Sequence, residues 1–341
     1  MSRCLQLAAL GAGNVSPNPM VGAVLVHEDR IIGEGYHEHY GFAHAEVSCI
    51  NAVSAVNRHL IPSSTLYVSL EPCNHFGKTP PCSNLIISEG IKKVVIATAD
   101  PFEKVAGSGI KKLQDAGVEV IVGVMEKEAQ MLNRSFFHFH LHKRPFIILK
   151  WAQSANGMIA AADYSRIYIS GNATNKLVHR WRSEVDAILV GTNTALHDNP
   201  SLTTRFWPGK NPFRLVLDMQ LKLDKNSHLL DGTTPTIVYN TLQEKKEGLT
   251  TFVRIDTNKS LTQQIAQSLY ERNITSLMVE GGSKMLQTFI DEDLWDEMRI
   301  ISNPQMHIEQ GIAAPQFNTP KNQFTQKVGN DLISYINREN N

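Results

Sequence analysis

The sequence predicts an α/β protein of two domains, and three observations carry that expectation. Short apolar runs of strand type alternate with stretches of helical periodicity along the whole chain, a pattern that layers helices on a partly parallel sheet. At 341 residues the chain is long enough for two separate cores. Near the middle a helical run meets Arg144-Pro145, and proline tends to stop a helix one residue earlier. The expected domains are therefore 1–144 and 145–341.

Composition narrows the function classes. Lys+Arg equals Asp+Glu at 33 each, which weighs against a nucleic-acid partner, whose binding usually leaves a basic footprint. Four cysteines in a chain this long do not make a disulfide framework. Cys4 and Cys49 fall in helical patterns and read as core thiols. The first residues lack the apolar region and cleavage pattern of a signal peptide, and no apolar stretch approaches the length of a membrane span. A reducing cytoplasm and no membrane association are the expectation.

In the first half, Leu5, Ala8 and Ala9 repeat at helical spacing until Gly11 and Gly13 end the pattern. Ser16-Pro17-Asn18-Pro19 is a rigid loop, in which Asn18 alone would pass for a turn residue. Val21–His27 and Ile31–Tyr36 read as a hairpin, with Gly33 and Gly35 leaving room for substrate or another backbone. Ala43–Val56 and Met125–His142 read as helices, Thr65–Leu70 and Lys93–Ala99 as strands. Ser108–Ala116 reads as a helix before a strand at Val118–Val122. His138, His140 and His142 alternate, but on a helix positions two apart do not share a face, so a partly exposed joint is expected there rather than a metal.

The chemistry concentrates between His44 and Cys82. His44-Ala45-Glu46 is followed, after a strand, by Glu71-Pro72-Cys73 and Pro80-Pro81-Cys82. One imidazole and two thiolates suit Zn²⁺ and leave a fourth tetrahedral position for water. Glu46, two residues past the histidine, can hold that water and move its protons, since zinc lowers the water's pKa towards neutrality. H-x-E followed by P-C and a second Cys is the signature of zinc deaminases. The plainer possibilities are a core histidine with buried thiols, or a structural clip. A structural clip normally has four ligands, and His75 is the nearby fourth candidate.

With these motifs in view, 17–107 resembles the deaminase half of the bifunctional riboflavin-biosynthesis deaminase–reductases. The matching pieces are Pro17-Asn18-Pro19-Met20-Val21-Gly22, Gly33-Glu34-Gly35-Tyr36-His37, His44-Ala45-Glu46, and Glu71-Pro72-Cys73 through Cys82, then Asp100-Pro101 and Val105-Ala106-Gly107. Cytidine and tRNA adenosine deaminases commonly space their cysteines by two residues, whereas eight intervene here. The resemblance implies a cytidine-deaminase-like three-layer α/β domain in which Asn18, His37, His75, Lys78 and Asp100 hold the pyrimidine and its phosphoribosyl group. Phe102 stands where many relatives carry Asn.

The second half opens with an apolar strand at Phe146–Ala152 and a turn at Ser154–Gly157. Helices are expected at Asn172–Ser183, 261–271 and 283–290. Strands are expected at Asp186–Gly191, Phe213–Asp218, Thr236–Tyr239, Thr251–Ile255, Ser276–Val279, 295–302 and 331–337. No G-x-G-x-x-G follows a strand, so a Rossmann site is not supported. Gly281-Gly282-Ser283 at a helix start offers backbone N–H groups to an anion, although a plain strand-to-helix corner would look the same.

Lys150-Trp151-Ala152-Gln153-Ser154, Gly157, Leu189-Val190-Gly191-Thr192-Asn193-Thr194, Asp198-Asn199-Pro200-Ser201-Leu202-Thr203 and Val279-Glu280-Gly281-Gly282 make 146–290 similar to the reductase half of the same proteins. That resemblance implies a dihydrofolate-reductase-like domain with NADPH at Ala152, Thr194, Asp198 and 282–288, including Gly282 and Ser283. It also implies substrate at Arg182, Leu202, Arg205 and Glu280. Lys150 and Glu280 would meet the opened sugar, and a bidentate guanidinium suits a phosphate. Relatives commonly carry Trp-Ile-Thr where this chain has Ile167-Tyr168-Ile169-Ser170, and Tyr168 is expected to stack on the cofactor.

The expected function is hydrolytic deamination of 2,5-diamino-6-(5-phosphoribosylamino)pyrimidin-4(3H)-one with Zn²⁺. NADPH reduction of the ribosyl group of 5-amino-6-(5-phosphoribosylamino)uracil to ribityl would follow. The resemblance favours a homodimer or larger assembly. Three alternatives remain: a nucleic-acid base deaminase with an accessory domain, an active deaminase beside an impaired reductase, and a non-enzymatic zinc scaffold.

Overall fold

The computed structural model describes residues 1–76, 80–102, 106–318 and 323–338. The chain divides into two compact units, Met1–Lys143 and Arg144–Asn341. Among the described residues no helix is long and apolar enough to cross a membrane.

The first unit begins with helix α1 (Ser2–Ala9), strands β1 (Gly22–His27) and β2 (Arg30–Tyr36), and helix α2 (Ala45–Asn51). Strand β3 (Thr65–Val68), helix α3 (Cys82–Ser88), strand β4 (Lys93–Ile96), helix α4 (Ser108–Asp115) and strand β5 (Glu119–Val122) follow. Helices α5 (Glu126–Leu132) and α6 (Arg134–His142) complete it. The sheet order is β2-β1-β3-β4-β5, antiparallel around β1 and parallel from β3 to β5. Glu28 and Asp29 at the hairpin tip both take positive φ, as a twist-matched two-residue turn requires. Along β1 the side chains alternate. Ala23 and Leu25 join the core with Cys49, Ile50, Ile86 and Leu113, and Val24 packs with Cys4 and Leu7 of α1.

Two helices differ from the expectation. The run 43–56 is α-helical only to Asn51; Ser54 is extended and Ala55–Ser63 forms a 3-10 helix containing Pro62. Val56, Asn57 and Pro62 are poor α-formers, which accounts for the change. The run 125–142 breaks at Asn133, whose backbone leaves the helical region. Its amide side chain is engaged elsewhere: Oδ1 accepts from Met20 N–H and Nδ2 donates to Met20 O, each at 2.8 Å.

The second unit opens with β6 (Phe146–Ser154), β7 (Met158–Ala161), α7 (Asn172–Glu184), β8 (Ala187–Gly191) and α8 (Thr192–Asp198). It continues through β9 (Phe213–Leu217), β10 (Thr236–Asn240), β11 (Lys245–Glu247), β12 (Thr250–Arg254) and α9 (Leu261–Tyr270). The remainder is β13 (Ser276–Gly281), α10 (Ser283–Asp291), β14 (Glu297–Asn303), β15 (Gly311–Ala313), β16 (Gln323–Val328) and β17 (Asp331–Asn337). The main sheet runs β11-β12-β10-β9-β8-β13-β6-β14-β17-β16. It is parallel from β12 to β14, with antiparallel strands at its edges.

Successive residues of β6 feed opposite faces: Ile147, Leu149 and Trp151 enter one core, Phe146 and Ile148 the other. A parallel sheet covered on both faces needs such near-continuous apolar strands. β7, β11, β15, β16 and the short helix α8 are additions to the sequence reading. Strand order reverses around β8, β13 and β6, the position where open parallel sheets leave a crevice at their carboxyl ends.

Candidate active sites

The first site stands on the ends of α2 and α3. His44 occupies the N-cap of α2, Cys82 opens α3, and Cys73 lies in the coil after β3. Cys73 is therefore not itself at a helix start, although its sulfur accepts from Cys82 N–H at 3.3 Å. His44 Nδ1 is 3.5 Å from Cys73 Sγ and 3.3 Å from Cys82 Sγ, and the three ligand atoms lie within 4.8 Å of one another. His75 is exposed and is not part of this cluster.

The donor set fits zinc. Without a cation the two sulfurs compete for one proton: the Cys82 thiol, then His44, hold Cys73 down to about 4, while Cys82 is pushed up by its bond to Cys73. A divalent cation at that point would favour thiolate at both sulfurs. Glu46, in the first turn of α2, is 3% exposed. Burial and the Cys73 charge push its carboxyl up to about 7 against the opposing pull of His44, so it can exist protonated or ionised near neutrality.

The approach of α2 to the hairpin explains the two glycines of β2. A Cβ on Gly35 would lie 2.2 Å from Cys49 N, and one on Gly33 2.5 Å from Cys49 O. Of the two possibilities the sequence left, close approach of another backbone is the one present.

Beside the cluster, His37 is 3% exposed, with its ring 5.5 Å from that of His44. Its Nδ1 lies 2.9 Å from Ala43 O and so carries the proton, which leaves Nε2 to accept from Asn18 Nδ2 at 3.1 Å. His37 thus fixes the Asn18 amide. Asp100 is raised to about 6 by burial, and its Oδ1 accepts from Phe102 N–H at 2.8 Å. Lys78 lies outside the described residues.

Sequence reasoning passed over Glu71 and Asn74. The buried Glu71 carboxylate accepts from the N–H groups of Asp100, Gly107, Gly109 and Ile110, which ties the strand ends to the start of α4. Asn74 Oδ1 accepts from Lys112 Nζ at 2.9 Å. Glu71 sits directly before the Pro-Cys pair, so its place in the motif was a signal that could have been used.

The second site is a cleft of about 1310 Å³ at the carboxyl ends of β6, β8 and β13. Pockets for one small molecule run to roughly 300–1,000 Å³, so this one has room for a cofactor and a substrate together. Its wall brings in Lys150, Ala152, Tyr168, Arg182, Thr194 and Asp198, and also Leu202, Arg205, Glu280, Gly282 and Ser283. Every second-half residue singled out from the sequence is thereby gathered into one cavity.

Its polar centre is a buried trio. Glu280 accepts from Arg182 Nε at 2.7 Å and Nη2 at 2.6 Å, and lies 4.0 Å from Lys150 Nζ. Burial alone would raise the Glu280 carboxyl, but Arg182 and Lys150 together hold it down to about 2. Burial lowers Lys150, partly offset by Glu280. Arg182 is thus a buried partner of Glu280, neither a free phosphate fork nor a surface salt bridge.

Thr194 and the glycine turn fit a cofactor close to backbone. A Cβ on Gly281 would meet Thr194 Cγ2 at 3.0 Å, and Gly282 has a φ of +76°. Leu202 is buried with a φ of +50°, a conformation that bulky residues adopt mainly where surrounding structure enforces it. Tyr168 is 70% exposed, with the Arg166 guanidinium over its ring at 5.2 Å from the centroid. Asp198 is raised by burial.

Two sequence families match these two units. Residues 1–98 match the cytidine and deoxycytidylate deaminase zinc-binding region, and residues 145–307 match the RibD C-terminal domain. The fold and sites therefore define a zinc-binding deaminase domain joined to a reductase domain. The riboflavin biosynthesis protein RibD of Aquifex aeolicus is 38% identical, covering 99% of this chain and 97% of its own length. That of Escherichia coli is 32% identical, covering 98% of each. A solved diaminohydroxyphosphoribosylaminopyrimidine deaminase/5-amino-6-(5-phosphoribosylamino)uracil reductase from Thermotoga maritima superposes with a TM-score of 0.89 at 35% identity, over 99% of this chain and 97% of that one. The chain belongs to the RibD family.

Proposed function

We infer that this chain is a bifunctional enzyme of riboflavin biosynthesis, a zinc-dependent deaminase fused to an NADPH-dependent reductase. Residues 1–144 are assigned the first activity and 145–341 the second. One observation carries the reading: a three-ligand cluster beside a buried carboxyl in one unit, and a two-ligand-sized cleft with a buried cation–carboxylate trio in the other.

The first substrate is 2,5-diamino-6-(5-phosphoribosylamino)pyrimidin-4(3H)-one. His44, Cys73 and Cys82 hold zinc, which when bound supplies Lewis acidity and lowers the pKa of water. Glu46 takes the proton of the water that attacks the amine-bearing ring carbon. It then returns protons to the ring nitrogen and to the departing ammonia. Asn18, oriented by His37, and Asp100 hold the heterocycle, and the family resemblance adds His75 and Lys78 to the substrate contacts.

The product, 5-amino-6-(5-phosphoribosylamino)uracil, is the second substrate. NADPH, when bound in the cleft, would supply the hydride that reduces the C1=N bond of the ring-opened sugar, with a proton from solvent completing the ribitylamine nitrogen. Ala152, Tyr168, Thr194, Asp198, Gly282 and Ser283 position the cofactor. Lys150, Arg182, Leu202, Arg205 and Glu280 position the sugar and its phosphate. Tyr168 takes the stacking role of the tryptophan in relatives, which favours a working reductase over an impaired one.

The enzyme is placed in the cytoplasm, in keeping with four free cysteines, and as a homodimer or larger, which light scattering would test. The deciding experiment follows ammonia release and NADPH absorbance together in zinc-loaded protein given the diaminopyrimidine. One ammonia per NADPH consumed is expected. Ammonia without NADPH oxidation would establish the impaired-reductase alternative, and neither signal would remove the reading.

A further inference from the structure

Two loops carry the residues assigned to the heterocycle, and both are tied to the same pair of helices. One loop, between α1 and β1, holds Asn18; the other, after β4, holds Asp100. Helices α5 and α6 close the same unit. At the break between them, Asn133 holds both backbone groups of Met20, two residues past Asn18, at 2.8 Å each. On α5, Gln130 Nε2 donates to Thr98 Oγ1 at 3.4 Å, two residues before Asp100. On α6, the His140 ring lies 4.9 Å from that of Phe102, two residues past Asp100. The helix pair therefore reaches one loop beside Asn18 and brackets Asp100 in the other.

The contacts around Asp100 pass on to its carboxylate. Thr98 is 1% exposed, and its carbonyl accepts from Glu71 N–H at 3.0 Å, so the end of β4 is held both by α5 and by the segment before Cys73. Phe102 N–H donates to Asp100 Oδ1 at 2.8 Å. The carboxylate takes its direction from the Phe102 backbone, and the Phe102 ring rests on α6. His140 is set in turn by the buried Phe136 and Phe139, at centroid distances of 4.5 and 5.4 Å. Phe136 and His140 are four residues apart on α6 and so share a face. The metal ligands stand on other elements: His44 and Cys82 at the starts of α2 and α3, Cys73 in the coil after β3.

We propose that α5 and α6 form a positioning plate for the deaminase substrate. Asn133 on one side, Gln130 and His140 on the other, hold the Asn18 and Asp100 loops at the separation the pyrimidine requires. These three are positioning residues, acting through the loops. The inference rests on the substrate assignment of Asn18 and Asp100 made above. Binding loops take their precision from the rigid elements beneath them, and a misplacement of about 1 Å can cost on the order of a hundredfold.

The test follows ammonia release from 2,5-diamino-6-(5-phosphoribosylamino)pyrimidin-4(3H)-one by full-length, zinc-loaded protein. His140→Ala removes the ring that holds Phe102, His140→Phe restores an aromatic ring there, and Asn133→Ala opens the Met20 clasp. In each alanine variant the KM for the pyrimidine rises about tenfold while kcat stays within about twofold, the signature of lost substrate binding with the chemical step intact. His140→Phe recovers most of that loss. Zinc content, and NADPH oxidation on supplied 5-amino-6-(5-phosphoribosylamino)uracil, stay at wild-type values. Gln130 is exposed, so Gln130→Met is readable even where Asn133→Ala fails to fold, and its KM rises about twofold for one hydrogen bond lost.

A wild-type KM in both His140→Ala and Gln130→Met overturns the inference and leaves the helix pair a purely structural part. A joint fall of kcat, zinc content and melting temperature in those variants also overturns it, because that pattern marks general loosening of the unit. Zinc-loaded wild type that releases no ammonia overturns the deaminase assignment itself, an outcome distinct from the other two.

Discussion

The two sites solve opposite problems. The deaminase cluster is compact and pre-set: three ligand atoms within 4.8 Å, a buried glutamic acid, and a helix seated on two glycines. The reductase cleft is wide, at about 1310 Å³, and its order comes from charges that hold one another, Lys150–Glu280–Arg182. A small hydrolytic centre can be built from local chain geometry and completed by a metal. A site for two large ligands needs a wall of long side chains locked by mutual charge, because backbone alone cannot span it.

The two units should therefore fail separately, and metal loss is the sharpest way to show it. Chelation, or Cys82→Ser, is expected to abolish ammonia release while NADPH oxidation on supplied 5-amino-6-(5-phosphoribosylamino)uracil continues. Loss of both activities would break the comparison. Next, Glu46→Gln should lower ammonia release by about 10²–10⁴-fold, the usual range for a general acid–base group. Metal analysis should find zinc retained.

In the cleft, Glu280→Gln leaves Arg182 and Lys150 buried without their carboxylate, and breaking a buried pair from one side costs about 3–5 kcal/mol. The pH dependence is signed. The folded carboxyl sits near 2, against an ordinary 4.5, so its contribution is complete above pH 4.5 and is lost as pH falls from there towards 2. At 1.36 kcal/mol per pKa unit that is on the order of 3 kcal/mol. Scanning calorimetry at pH 6 and pH 3 should show the gap between wild type and Glu280→Gln closing at the acid end. A constant gap would mean the trio contributes no such charge stabilisation.

The mildest test is Gly35→Ala. Its methyl must displace the α2 backbone at Cys49, an overpacking cost of about 1–3 kcal/mol. Deamination should weaken and reduction remain. If reduction falls equally, the glycines serve the whole chain and not the metal centre.

The same contrast governs what could be read from sequence. His44, Glu46, Cys73 and Cys82 fall within 39 residues, and their types and spacing announce the chemistry before any fold is known. The hairpin and the strands of the second sheet were also legible, because period-two alternation and near-continuous apolar runs report burial directly. The helix at 43–56 and the one at 125–142 were overextended, since Asn133 gives up helix continuity for a contact 113 residues away. In the second half, family likeness gathered the correct wall, yet residue type alone reads Arg182 as a free phosphate grip when it is a buried partner of Glu280.

The clasp between Asn133 and Met20 carries a consequence for biosynthesis. Both polar backbone groups of Met20 are held by one amide near the end of the first unit, two residues from the loop that presents Asn18. During translation this clasp on the pyrimidine loop cannot close until residue 133 has cleared the ribosome. A nascent chain halted earlier would carry the whole zinc motif and the His37–Asn18 contact, yet lack the clasp.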